Sequence, residues 1–340
     1  MLFRILIMAG VAIMMAGGGA AQDSQYGKVT RGNDFTYTRL GNQADVTTPT
    51  KFGVLMEGGG TDVADAYRWM CRHAGEGDFL IIRSTGNADY NPYIQKLCPG
   101  INSVSTLKIT GRKAARDPFV VNVINHAEAL FLAGGSQNDY IDYFENTPMN
   151  AAMNARVARG VPIGGTSAGN AVLAQFSFAS LTNRTITSAA ALRNCYDWRI
   201  TIDNGFLHIG RLLADTITDD HFITRDRMGR LVVFLARIEH GGGARRAFGI
   251  AEDENTAFLL EADGSGTVVG SSNVYFLGAA PPPEVCKVRT PVTYENIPVY
   301  RISKGGTFNV DSWTGTGGTA YSVSAVDGVL SSTQPGGGIY

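Results

Sequence analysis

The chain has 340 residues, 29 Lys and Arg against 30 Asp and Glu, a formal net charge of −1, and 44% hydrophobic residues. This is enough apolar chain for one large core, or one core with an appendage, and the balanced charge without a basic run argues against nucleic acid as the main partner. Beyond the N-terminal segment no apolar stretch is long enough to span a bilayer.

Met1-Leu2-Phe3-Arg4 is followed by the apolar run Ile5 to Ala16 and the small residues Gly17 to Ala21. That order reads as a secretory signal peptide over 1–21, with a mature chain from Gln22 that is secreted or periplasmic and off the membrane. No cysteine lies near the cleavage point, so a lipoprotein is not expected. Cys71, Cys98, Cys195 and Cys286 are an even number in a chain read as exported. Sequence order suggests 71 with 98 and 195 with 286, one of three possible pairings. None belongs to a Cys-x-x-Cys pair, so no zinc site or redox dithiol is indicated, and neither metal nor cofactor is expected. Asn183-Arg184-Thr185 is a glycosylation acceptor by pattern.

From Lys51 to about Phe176 short apolar runs alternate with helix-like stretches, the signature of an α/β sheet. Strands are predicted at Phe52–Met56, Phe79–Ile82, Val104–Ile109, Ala129–Ala133 and Val161–Ile163, with a helix opening on Asp62 as N-cap and another over Asn170–Gln175. Near-continuous apolar strands suit a mostly parallel sheet with helices on both faces, whose loops after the strand C-termini share one edge. Those loops carry Gly58-Gly59-Gly60, Gly134-Gly135-Ser136-Gln137 and Ser167. The glycine triplet lacks dinucleotide spacing and reads as backbone that comes close to a substrate. Strands are expected again at Ala257–Leu260, Thr267–Val269 and Val274–Leu277. The division predicted is an α/β catalytic domain over 22–280 and a β-rich extension over 281–340, with the last ten or so residues loose.

Gly165-Thr166-Ser167-Ala168-Gly169 stands between a strand and a predicted helix, where a serine hydroxyl is pushed into a cleft and nearby amides can stabilise an oxyanion. A base is needed, and His221 stands out among five histidines because Asp219 and Asp220 precede it and Arg225, Arg227 and Arg230 follow. An acid to orient the imidazole is available in Glu252-Asp253-Glu254. The order serine, histidine, acid is not that of the α/β-hydrolases.

These four segments, Gly134–Gln137, Gly165–Gly169, Asp219–Arg230 and Asp253–Ala257, stand in an order that resembles the cyanophycinase and aspartyl dipeptidase family of serine peptidases, closer to the cyanophycinase branch. The resemblance covers roughly residues 51–277. It implies a flavodoxin-like or glutamine-amidotransferase-like sheet, with Ser167 as nucleophile, His221 as general base and then acid, and Glu254 orienting His221. It also implies oxyanion amides at Gly135 and Ala168, a substrate pocket lined by Gln137, Asp219, Arg225, Arg227 and Arg230, and a homodimer. Asp220 stands where the cyanophycinase pattern has glutamine, and with Asp219 it is expected to meet a cationic side chain. Ser136 replaces the more usual acid or asparagine. The activity implied is hydrolysis of cyanophycin or related β-aspartyl peptides, carrying aspartyl and cationic side chains, through an acyl-enzyme. The rivals are an α-aspartyl dipeptidase and a catalytically silent peptide-binding protein on the same fold.

Overall fold

The computed structural model describes residues 26–278 and 280–340; the signal peptide expected over 1–21 lies outside the described residues. A hairpin of β1 (Lys28–Gly32) and β2 (Phe35–Gly41) comes first. Then β3 (Gly53–Glu57), α1 (Ala64–His73), β4 (Asp78–Arg83), α2 (Tyr90–Leu97), β5 (Ser103–Ile109), α3 (Pro118–Asn125), β6 (Ala129–Leu132), α4 (Pro148–Ala158) and β7 (Ile163–Thr166) alternate as the apolar runs require. After them come β8 (Phe176–Phe178), α5 (Ser188–Arg193), β9 (Ile202–Asn204), β10 (Thr216–Asp219), α6 (Met228–His240) and β11 (Phe248–Glu252). The chain closes with β12 (Thr256–Glu261), β13 (Ser265–Gly270), β14 (Asn273–Gly278), β15 (Tyr294–Asn309), β16 (Thr314–Val326) and β17 (Val329–Ser332).

Strands β5, β4, β6, β7 and β3 lie side by side in parallel, and β2 and β12 flank them in antiparallel. A second parallel group, β8, β10 and β11, continues through antiparallel β14 into β15. Alternate residues of β3 and β4 point to opposite faces, as the period of two demands. Leu55, Phe79 and Ile81 pack with Tyr67, Met70 and Ile94 of α1 and α2. Val54, Met56, Leu80 and Ile82 pack with Val120, Ile124, Met149 and Met153 of α3 and α4. Helices therefore cover both faces of the central strands. No helix among the described residues is long and apolar enough to cross a membrane.

Three local expectations change. Asp62 does not cap α1: its carboxylate accepts the hydroxyls of Tyr67 at 3.0 Å and Tyr90 at 2.9 Å, and the N-cap is Val63. The helix expected over Asn170–Gln175 is instead a 3₁₀ turn over Ser167–Val172, because the chain must re-enter the sheet at β8 only three residues later. The expected loose tail is docked. Tyr340 accepts the Met228 amide at 2.9 Å and donates to Asp226 Oδ1 at 2.8 Å, with its ring edge-on to Phe222. Tyr340→Phe is expected to cost about 1 to 2 kcal/mol by leaving that amide unpaired, seen as a lower urea midpoint.

Disulfides join Cys71 to Cys98 and Cys195 to Cys286. The second ties the residues before β9 to the start of the extension. Strands β15 and β16 place Tyr294, Ile297, Val299, Tyr321, Val323 and Ala325 in the core shared with α5 and α6, so the extension is built into the same sheet.

Candidate active site

Ile163 to Thr166 is a run of apolar and small residues that extends as β7 between β3 and β6. At its end Ser167 has φ 51°, a left-handed conformation that costs a non-glycine residue about 1 to 3 kcal/mol and is held only by its surroundings. The turn is tight because Gly169 lies against β6: a β-carbon there would come within 1.9 Å of the Leu132 carbonyl oxygen. The sharp strand-to-turn geometry expected of Gly165–Gly169 is present.

His221 leaves β10 with φ 44°, and its amide donates to the Gly58 carbonyl at 2.8 Å. Its Nε2 lies 2.8 Å from Ser167 Oγ and its Nδ1 lies 2.5 Å from Glu254 Oε1. Only 6% of His221 is exposed. The hydrogen bond from His221 holds the Glu254 carboxyl below its usual range despite some desolvation. A carboxylate only accepts, so Nδ1 carries the proton and Nε2 is free to accept from the serine. Gly59, at φ 88°, seats the pair: a β-carbon there would lie 2.6 Å from His221 Nε2 and 3.1 Å from Ser167 Cβ. The glycine triplet thus comes close to the triad side chains. Across the turn, a β-carbon on Gly134 would lie 3.5 Å from Ser167 Cβ. The Gly134-Gly135 loop and Ala168 therefore flank the serine, as an oxyanion site needs.

The expected pocket residues divide. Asp219 and Arg230 are 1% and 2% exposed and bound to each other, Arg230 Nε to Asp219 Oδ2 at 2.8 Å and Nη2 to Oδ1. Arg227 Nη1 reaches Asp219 Oδ1 at 3.3 Å and Asp220 Oδ1 at 2.8 Å. Burial opposes ionisation of Asp219, but the charges of Arg230 and Arg227 outweigh it and hold the carboxyl low. Asp219, Asp220, Arg227 and Arg230 therefore do not line a pocket as expected; their charges neutralise one another beneath the His221 loop. Asp220 cannot receive a cationic side chain as expected, because Oδ1 is taken by Arg227 and Oδ2 is buried without a partner. Gln137 is also turned aside, donating to the Phe178 carbonyl at 2.7 Å. Arg225 alone of the six is exposed, with the charges of Asp220 and Glu254 nearby.

Of two further acids beside the triad, Glu57 was not foreseen and Glu252 was expected only as one of the acids that could orient His221. Glu57 and Glu252 are both fully buried. Their signal in the sequence is a lone acid closing an apolar strand, in Gly53-Val54-Leu55-Met56-Glu57 and Phe248-Gly249-Ile250-Ala251-Glu252.

The family model for peptidase family S51 matches residues 88–193, a span that includes Ser167 and ends before His221 and Glu254. The chain is similar to proteins named cyanophycinase. It is 26% identical over 219 residues to one from Synechococcus elongatus, covering 62% of each chain, and 26% identical over 224 residues to one from Nostoc, covering 62% of this chain and 66% of that one. The matched part thus spans less than two thirds of those relatives' length. Among solved structures, a peptidase from an acI-B1 Actinobacterium shares the fold with a TM-score of 0.51 and 16% identity, covering 77% of this chain and 98% of that one.

Proposed function

We propose that the chain, which matches the model of peptidase family S51 over residues 88–193 and is similar to proteins named cyanophycinase, is a serine-type peptidase that hydrolyses cyanophycin or related β-aspartyl peptides. The observation that carries the reading is the relay from Ser167 Oγ to His221 Nε2 at 2.8 Å and from His221 Nδ1 to Glu254 at 2.5 Å. In the first half-reaction Ser167 Oγ attacks the scissile carbonyl while His221 Nε2 takes the hydroxyl proton. Glu254 orients the ring and stabilises the imidazolium. The amides of Ala168 and Gly135 stabilise the oxyanion, and His221 then protonates the departing amine. Water, deprotonated by the same imidazole, releases the acyl group and restores Ser167.

The substrate class rests on likeness to the named cyanophycinases and on Arg225, whose exposed guanidinium beside the triad suits a substrate carboxylate. Export to an oxidising compartment is part of the proposal and is supported by the two disulfides.

The test is incubation of the chain from Gln22 onward with purified cyanophycin, with soluble products followed by mass spectrometry. Release of β-aspartyl-arginine is expected. Cleavage of α-linked but not β-linked Asp-Arg peptides would overturn the substrate and leave an α-aspartyl dipeptidase; binding of both without turnover would leave a silent peptide-binding protein.

A further inference from the structure

Two buried carboxyls meet the residues on either side of the serine turn. Glu57, the last residue of β3, sits opposite Thr166 in the parallel register, with the Thr166 side chain close enough to bear on its ionisation. Its carboxyl is fixed, Oε1 by the Val63 amide at 2.6 Å and Oε2 by the Tyr67 hydroxyl at 2.9 Å. Glu252, the last residue of β11, receives Asn170 Nδ2 at 2.6 Å on Oε2. Thr166 immediately precedes Ser167, and Asn170 lies in the 3₁₀ turn that follows it.

We propose that Glu57 and Glu252 are positioning residues that hold the Ser167 turn in place from its two sides, through Thr166 and Asn170. The proposal rests on Ser167 as the nucleophile. A left-handed φ at a serine persists only where neighbours over-determine it. Here the neighbours are two acids reaching in from the strands that also carry the glycine triplet and lead to Glu254.

The acids act in their neutral form: the Tyr67 hydroxyl lies 2.9 Å from Glu57 Oε2 and 3.0 Å from Asp62 Oδ1 but has one proton to give, so a proton on Glu57 completes the set. Glu252 Oε1, Asn170 Oδ1 and Asp220 Oδ2 are buried with no hydrogen-bond partner, an arrangement too costly for three acceptors unless one carries a proton. Burial, with Asp220 and Asp219 adding to it against the Asn170 bond, pushes Glu252 up to about 8. Burial and Asp62, against the bonds from Val63 and Tyr67 and the nearby Thr166 side chain, push Glu57 up to about 7. The charged groups around Glu252 are Asp219 and Asp220, which Arg230 and Arg227 neutralise, with His221 3.6 Å from Asp220. Ionised, either glutamate would face a neighbouring aspartate and strain the turn it holds.

The sign follows from the shifts. Both acids ionise near 4.5 when unfolded and near 7 or 8 when folded. The stability they contribute is complete below the unfolded value and is lost as pH rises through the folded one. For each acid the unfolding constant rises by up to about tenfold per pH unit in that window.

Glu57→Gln and Glu252→Gln keep shape without ionising; Glu57→Leu and Glu252→Leu remove the grip. Two readouts are measured across the pH range: urea unfolding, and the rate at which a fluorophosphonate probe labels Ser167, which needs no peptide substrate. The Gln variants are expected to label near the wild-type rate in mild acid, to lack the wild type's fall above neutrality, and to flatten its loss of stability. The Leu variants are expected to label at least about tenfold more slowly at every pH, as a displaced nucleophile should. Leu variants that label at the wild-type rate, or Gln variants whose two profiles superimpose on the wild type, overturn the proposal; if the Leu variants fail to fold, the Gln comparison decides. A wild type that does not label removes the nucleophile itself, a failure distinct from an unchanged profile in labelled variants.

Discussion

Ser167→Ala is expected to reduce peptide hydrolysis by about three to six orders of magnitude while leaving the unfolding midpoint within experimental error of the wild type. The asymmetry follows from where the hydroxyl sits. Its hydrogen bond ends on His221 Nε2 at the edge of the cleft, and Ser167 is only partly buried. Removing the oxygen therefore opens no core cavity. Alanine also tolerates φ 51° no worse than serine, so the backbone strain is unchanged. Loss of turnover with retained binding of a β-aspartyl peptide is the diagnostic pair of measurements. Full residual hydrolysis would remove Ser167 from the mechanism and with it the acyl-enzyme.

Asp219→Ala is expected to act on stability instead. The substitution leaves Arg230, 2% exposed, and Arg227 with half of their compensating charge removed in the interior. Breaking a buried pair in this way costs about 3 to 5 kcal/mol, a large part of the roughly 5 to 15 kcal/mol available to a domain. Urea denaturation should show the full loss. Replacing Asp219 and Arg230 together by apolar residues of similar volume should recover much of it, since no unpaired charge then remains. A substrate-binding Asp219 would behave oppositely: KM would rise and the unfolding midpoint would hold. The two outcomes separate a charge network that shapes the His221 loop from one that meets a ligand.

The same contrast shows what local pattern can and cannot reveal. Strand runs such as Phe79–Ile82 and Ala129–Leu132 are apolar at every position because both faces are covered, and that is visible without coordinates. Within the Gly-x-Ser-x-Gly turn Gly165 is likewise local, since a β-carbon there would lie 2.5 Å from the Gly169 backbone, whereas Gly169 is required by Leu132 of β6. His221 and Glu254 were marked by their neighbours in sequence and by resemblance, and the fold brings them to Ser167 across 54 and then 33 positions.

By itself, then, the sequence determined the alternation of strands and helices, the sharp turn at Ser167 and the residue types for a relay, because each depends on periodicity or on steric fit over short stretches. Only the tertiary structure decided which charges face outward. Arg225 and Arg230 look alike in a list of residues five apart, yet one is exposed and the other is neutralised in the core by Asp219. Tertiary packing also decided that Tyr340 docks on Asp226 and Met228, and that Glu57 and Glu252 flank the serine turn. The reason is physical: the energy of a charge or a hydroxyl depends on burial and partners, which come from strands distant in sequence, whereas the local backbone conformation depends on its nearest neighbours.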